Sequence, residues 1–369
     1  MSTADKEIKG NIGEWSEIYT LLKLLGEGKV YAGDENLDKI KDLVYPIIMI
    51  IRNEEEGVLD YKVQQADIVI QTAEGEELLR LPATTFLKEA EHLLATMQNK
   101  PSGERSFPVA KTQAFMDRIH CTKLKASSSD KTDIHIVLHD SRTRMNRDMG
   151  FSIKSQLGGD STLLNASGAT NFTYRIEGYD FTDEEIDKIN AIDSRTKIID
   201  RVDAIWKAGA QFVFDKADNA TFRTTLQMMD GDLAKVIAHL LLEQFKTGNR
   251  MLSDLTADLA NDNPIGYEAE DLQSIYAYKL KHLLTSAALG MMPSKTWKGH
   301  YDANGGYLVV KKDGEILCYH FYDHNRFEDF IFRNAYLERA KTRRHGYGSL
   351  YRAEDGKVYF KLNLQIRLK

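Results

Sequence analysis

The chain has 369 residues, 42% hydrophobic and 28% charged, with a formal net charge of −6. That length buries a large core and suits two or three subdomains. The acidic balance argues against a protein that coats nucleic acid through net charge, but leaves open a cleft enzyme with local basic surface. Only two cysteines occur, Cys121 and Cys318, far apart in sequence. This excludes a disulfide framework and a zinc spacing, and a reduced, cytoplasmic setting is expected. The run YPIIMII is too short to span a bilayer, and the polar start MSTADKEIKG has no signal-peptide pattern.

Residues 13–25 (GEWSEIYTLLKLL) place Trp15, Ile18, Leu22 and Leu25 at helical spacing, and the glycines at 26 and 28 stop the helix. Strands are predicted at 45–52 (YPIIMIIR) and 66–71 (ADIVIQ), with EEEG as a turn between them. An amphipathic helix is predicted over 84–97, a linker at 99–108, and a helix over 112–124. A hairpin follows, with strands at 134–139 and 149–155 around the polar, basic segment SRTRMNRD. A glycine-rich polar segment and the strand TYRI come next. Residues 182–210 and 220–290 read as mainly helical. The last eighty residues are β-rich: a hairpin turning at Asp313-Gly314, a helix in FEDFIFRNAYLERA, and a final strand KVYFKLNLQIRL. Four regions result: 1–110, a helix and small α/β region whose helix 13–25 could join the catalytic core; 111–180, the hairpin core; 181–290, a helical insert; and 291–369, a basic region expected to contact DNA.

The hairpin carries the chemistry. Asp133 opens one strand and Lys154 lies near the end of the next. A carboxylate that binds a cation, beside an ammonium that orients water or neutralises phosphate charge, is the arrangement of metal-dependent nucleases. The usual pattern has an acid two residues before the lysine, where this chain has Ser152. Glu14 and Glu17 share one helix surface. Glu14 suits a cap, and Glu17 is the better candidate for the missing acid. Mg²⁺ takes oxygen ligands and keeps several waters, so Asp133, Glu17 and the carbonyl of Ile153 would suffice. The plain alternative is a surface hairpin with one Lys–Asp salt bridge.

Candidate DNA contacts are Gln156, Asn165 and Asn171 in the polar segment, Arg142 and Arg144 in the hairpin loop, and Arg343, Arg344 and His345 in a basic run. Asn and Gln suit adenine and Arg suits guanine, with phosphate contact the milder role. Residues 290–369 hold 15 Lys/Arg against 9 Asp/Glu. No Walker loop, GxSxG elbow or HExxH motif occurs. His135 and His139 read as structural or DNA-facing, and an HNH-type nuclease stays open on spacing alone.

Three stretches carry a resemblance: GEWSEIYTLLKLLGEGKVYAGDENL at 13–37, TDIHI…GFSIKS…TLLNASGATNF at 132–172, and DANGGYLVVKKDGEILCYHFYDHNRFEDF…RRHGYG…FKLNLQIR at 302–367. Together they resemble the HpaII family of type II restriction endonucleases. The resemblance implies a bacterial restriction–modification enzyme that cuts both strands of a short palindrome with Mg²⁺, CCGG in the founding member. It implies a cognate DNA methyltransferase encoded separately, a possible homodimer on its palindromic duplex, and the PD-(D/E)xK superfamily. That superfamily has a mixed α/β (α+β) fold, a restriction-endonuclease-like mixed sheet flanked by helices. Asp133 and Lys154 match its motif and Ser152 departs from it. The rivals are a DNA-binding protein with a decayed nuclease site, a nuclease for branched DNA or RNA, and a structural α/β protein.

Overall fold

The computed structural model describes residues 7–100, 103–125, 132–140, 144–339 and 345–369. Strand β1 (Lys9–Gly10) leads into helix α1 (Ile12–Glu27). Asn11 caps this helix: its side chain accepts the Glu14 N–H at 3.1 Å, and Glu14 accepts the Asn11 N–H at 2.9 Å. Two donors that a helix end leaves orphaned are thereby satisfied. Gly28 ends α1 in the left-handed region, where glycine has no Cβ to clash.

Strands β2 (Lys29–Gly33), β3 (Lys39–Glu54), β4 (Gly57–Gln64), β5 (Asp67–Thr72) and β6 (Glu77–Pro82) follow. Helix α2 (Ala83–Gln98), strand β7 (Phe107–Pro108) and helix α3 (Ala110–Arg118) precede the hairpin of β8 (Ile134–Asp140) and β9 (Met145–Ser155). Next come β10 (Ser161–Leu164), β11 (Asn171–Glu177), α4 (Asp183–Asn190), α5 (Lys197–Lys207) and β12 (Gln211–Ala217). Helices α6 (Ala220–Met229), α7 (Leu233–Thr247), α8 (Leu252–Asp262) and α9 (Leu272–Leu289) fill the middle of the chain. The tail forms β13 (Gly306–Val310), β14 (Ile316–His320), α10 (His324–Asn334), β15 (Ala335–Leu337), β16 (Leu350–Arg352), β17 (Val358–Asn363) and β18 (Ile366–Leu368).

The expected mixed α/β fold is present, with local differences. The segment YPIIMIIR is part of the 16-residue β3. The turn at EEEG leads into β4, a strand the reading missed. The helix predicted over 112–124 stops at Arg118, and His120 turns the chain with φ +57. The second half of the hairpin's basic segment is strand: Met145 to Asp148 stay paired with Val137 to Asp140. The final apolar run divides into β17 and β18, which belong to different sheets.

Contacts divide the chain into two compact units. The first comprises Met1–Ser161 and Tyr301–Phe330, the second Thr162–His300 and Ile331–Lys369. The four regions read from sequence regroup because β13 runs parallel beside β9, and β14 parallel beside β2. Part of the tail thus completes the sheet that the hairpin begins.

The first unit is built on a nine-stranded sheet in the order β2-β14-β13-β9-β8-β3-β4-β5-β6. Strand β3 pairs with β2 through Tyr45 and Val44, and with β8 through Ile47 to Ile51. Six strands therefore close on themselves, which removes open edges around the hairpin. One apolar core joins Trp15, Ile18, Leu22 and Leu25 of α1 to Phe151, Ile134, Leu308 and Val310 of the sheet. Trp15 is fully buried, and its indole N–H donates to the Phe107 carbonyl at 3.0 Å. The second unit holds an antiparallel sheet in the order β12-β11-β17-β16 and a smaller one in the order β10-β18-β15. Phe172, Tyr174 and Phe360 are buried there along with Val202, Leu226 and Leu240 from the helices. No helix among the described residues is long and apolar enough to cross a membrane.

Gly306 opens β13 with φ +106, and a Cβ there would lie 2.1 Å from the Tyr319 carbonyl oxygen. Gly306→Ala is expected to cost about 1–3 kcal/mol for the backbone region alone, with the clash added. Urea unfolding checks this: the midpoint should fall clearly, and an unchanged midpoint would contradict the role given to this turn.

Candidate active site

Asp133 sits one residue before β8 but remains in the ladder. Its N–H donates to the Phe151 carbonyl at 2.9 Å. With Ile134 opposite Phe151, Asp133 stands opposite Ser152. Its carboxylate then takes the place of a backbone acceptor. Oδ2 accepts the Ile153 N–H at 2.6 Å and the Ser152 hydroxyl at 2.9 Å. Ser152 Oγ in turn accepts from Lys154 Nζ at 2.9 Å. The direct Asp–Lys pairing suggested by the sequence is therefore mediated: the lysine donates to the serine, and the serine donates to the aspartate. Charge-assisted bonds of this kind are short and strong, and they fix the carboxylate plane. No hydrogen bond falls on Asp133 Oδ1 among the described residues, so one oxygen is anchored and the other is available.

Side chains alternate along a strand, and residues paired across strands share a face. Ser152 and Lys154 thus lie on one face of β9 with Asp133. Strand β13 adds Tyr307 opposite Ser152 and Val309 opposite Lys154. Tyr307 is buried, and Lys154 Nζ lies 4.8 Å from the centre of its ring. Burial pushes the Tyr307 phenol well above its ordinary range, and the negative charge of Asp133 adds to the effect. The opposite face of β9 carries Phe151, Ile153 and Ser155. Helix α1 packs there, with Ser16 Oγ donating to Ser155 Oγ at 2.7 Å.

This layering bears on the two helix carboxylates. Glu14 is committed to the α1 cap and to Lys125, 2.8 Å away. The Lys125 ammonium and the Asn11 N–H hold its carboxyl below the usual value against the opposing effect of burial, which is the largest single influence. Glu17 is half-buried, next to the residue that touches β9. Helix α1, which carries Glu17, packs on the face of β9 opposite the one that holds Ser152 and Lys154. Among the described residues, no three His, Cys, Asp or Glu side chains gather around one point. The donors near Asp133 are hard oxygens with few protein charges. This fits a cation such as Mg²⁺ that keeps most of its waters, and does not fit a closed four-ligand site.

The proposed DNA contacts divide between the units. Gln156 follows Ser155 and is half-buried, its N–H donating to the Val310 carbonyl at 2.8 Å. Arg144 is exposed, with φ +55 and its N–H on the Asp140 carbonyl at 2.7 Å. In the second unit Asn165 is exposed, but Asn171 is buried. The Asn171 amide donates to the His345 carbonyl at 2.8 Å and accepts from Asn363 at 2.6 Å. Its hydrogen bonds are spent on holding the His345 backbone, so Asn171 is a loop anchor rather than a base reader. Arg142, Arg343 and Arg344 lie outside the described residues.

Beside His345, a cavity of about 540 Å³ is lined by Lys197, Arg201, Tyr347, Ser349, Tyr351 and Lys361. Arg201 spends its guanidinium on the carbonyls of Asn190, Ile192 and Gly348 and on Ser349, while Lys197 and Lys361 pair with Asp193 and Asp218. On the α1 side of β9, Lys100 and Arg105 border a cavity of about 390 Å³ with Ile153, Ser155, Gly158 and Gly159.

Two features escaped the sequence reading. Ser152 looked like a gap in a motif, and the alternation that set it beside Lys154 was the available signal for its bridging position. Tyr307 gave no signal, because its pairing with β9 spans more than 150 residues. A further exposed pair, Arg147 and Tyr322, is joined by a hydrogen bond and a cation–ring contact of 5.7 Å.

The model of the HpaII restriction endonuclease family matches residues 11–368. The type II restriction enzyme HpaII of Haemophilus parainfluenzae is 39% identical over 358 residues, covering 97% of this chain and 98% of that enzyme. No solved structure matches the chain. With near-complete coverage on both sides, the chain belongs to the HpaII restriction endonuclease family and is a site-specific DNA endonuclease.

Proposed function

We propose that the endonuclease is Mg²⁺-dependent, that it is centred on Asp133 and Lys154 in the manner of the PD-(D/E)xK superfamily, and that it cuts both strands of a short CCGG-like palindrome. The observation that carries this is the chain of hydrogen bonds from Lys154 through Ser152 to Asp133 on one strand face. It presents an ammonium and a carboxylate oxygen side by side, which is what phosphodiester hydrolysis needs.

In this reading the Ile153 N–H and the Ser152 hydroxyl hold Asp133 Oδ2, so that Oδ1 faces outward. Asp133 would hold the cation together with the Ile153 carbonyl and Glu17. A bound divalent cation supplies charge neutralisation on the phosphate and eases deprotonation of water. Lys154 stabilises the negative charge that grows on the phosphoryl oxygens, or orients the attacking water. Gln156, Asn165, Arg142, Arg144, Arg343, Arg344 and His345 are the candidates for DNA contact. A palindromic target suits a two-fold dimer, and the methyltransferase that protects it is a functional partner rather than a physical one.

A second reading rests on Ser152: with the motif's acid replaced, the protein could bind its site without cutting. Phage DNA digested in Mg²⁺ or in EDTA separates the two. The wild type should give ends that share one short palindrome in Mg²⁺ and none in EDTA. Lys154→Ala should slow cleavage by at least about 10²-fold, with DNA affinity kept within about tenfold. Wild-type cutting by that variant would remove Lys154 from the chemistry, and no cutting by the wild type would favour the second reading.

Titrating Mg²⁺ in the same digests tests Glu17. Glu17→Gln should raise the Mg²⁺ concentration needed for half-maximal cutting by about tenfold or more, the loss of one charged ligand. An unshifted curve would assign the second ligand elsewhere.

A further inference from the structure

We infer that Tyr307 is a positioning residue for Lys154: its ring face, fixed by burial, holds the ammonium over Ser152 beside the Asp133 carboxylate. The inference rests on the proposed role of Lys154 and adds a residue to it.

Lysine carries its charge on a flexible four-carbon stem, so each contact that the ammonium makes narrows where it sits. The structure supplies a second restraint. Lys154 Nζ lies 4.8 Å from the Tyr307 ring centre, inside the range where a cation is drawn to the negative face of an aromatic ring. The ring itself is held. Tyr307 is 1% exposed and stands edge-on to Phe327, with ring centres 5.4 Å apart. Its backbone is fixed in register with Ser152 by the parallel pairing of β13 and β9. Its neighbour Gly306 fits only as glycine against the Tyr319 carbonyl. The hydrogen bond and the ring face both restrict where the ammonium sits.

The test compares Tyr307→Phe, Tyr307→Leu and Tyr307→Met in the full chain, with thermal unfolding measured for each. Tyr307→Phe keeps the ring face and should cut within about threefold of the wild-type kcat. Tyr307→Leu and Tyr307→Met keep apolar bulk without the ring, and should lower kcat about tenfold while leaving KM for DNA unchanged. In a Lys154→Ala background, Tyr307→Leu should have no further effect on cleavage. Three results would overturn the inference: wild-type kcat in the folded Leu or Met variant, a parallel rise in KM, or loss of folding in both, since a core role would then suffice. If Lys154→Ala itself cuts normally, the reading of the site fails instead, which keeps the two failures apart.

Discussion

The site depends on one substitution within a β-ladder. Just before β8 begins, the Asp133 side chain supplies the acceptor that Ile153 N–H needs, at 2.6 Å. A buried strand N–H cannot be left unpaired without cost, so the carboxylate is tied to the backbone whatever else it does. Among the described residues, hydrogen bonds fall on only one of its oxygens. The geometry that stabilises the strand end therefore aims the remaining oxygen, and a functional group is oriented by the same bond that satisfies the fold. Ser152 extends the arrangement by accepting from Lys154 and donating to Asp133.

This bears on Ser152, the position at which the PD-(D/E)xK pattern has an acid. An acid at 152 would face Asp133 directly, and two carboxylates that close repel unless a cation lies between them. A serine removes that repulsion. The proposed site then has fewer fixed charges, and a cation held there would rely more on water and on backbone oxygen. The surrounding sheet supplies rigidity in place of charge: β9 is flanked by β8 and β13, α1 seals one face, and Tyr307 lies on the other.

Much of this was legible in the sequence, and the part that was not has a physical reason. Helix α1 announced itself through its apolar spacing and its glycine stop, and the hairpin through two short apolar strands around polar residues. Asp133 and Lys154 were singled out because both lie on that local hairpin. The contribution of Tyr307 was hidden because parallel pairing joins segments remote in sequence and leaves no periodicity to read. Strand β4 was missed although its signal was present: Leu59, Tyr61 and Val63 alternate with Asp60, Lys62 and Gln64, and β3 and β5 pair with it on both sides. Asn171 shows the opposite error: a polar residue in a polar segment looked like a base reader, and its burial shows it to be a loop anchor. Residue type gives hydrogen-bonding capacity, but only the fold says where that capacity is spent.

The central claim is that Asp133 both closes the ladder and holds the catalytic cation through its free oxygen. Asp133→Asn separates these roles, because an amide oxygen can still accept the Ile153 N–H but carries no charge. Mn²⁺ binding measured by calorimetry, alongside the unfolding midpoint of the same sample, tests it most directly. The account predicts that the variant keeps its fold within about 1 kcal/mol and loses the metal-binding isotherm. An intact isotherm in the folded variant would contradict it.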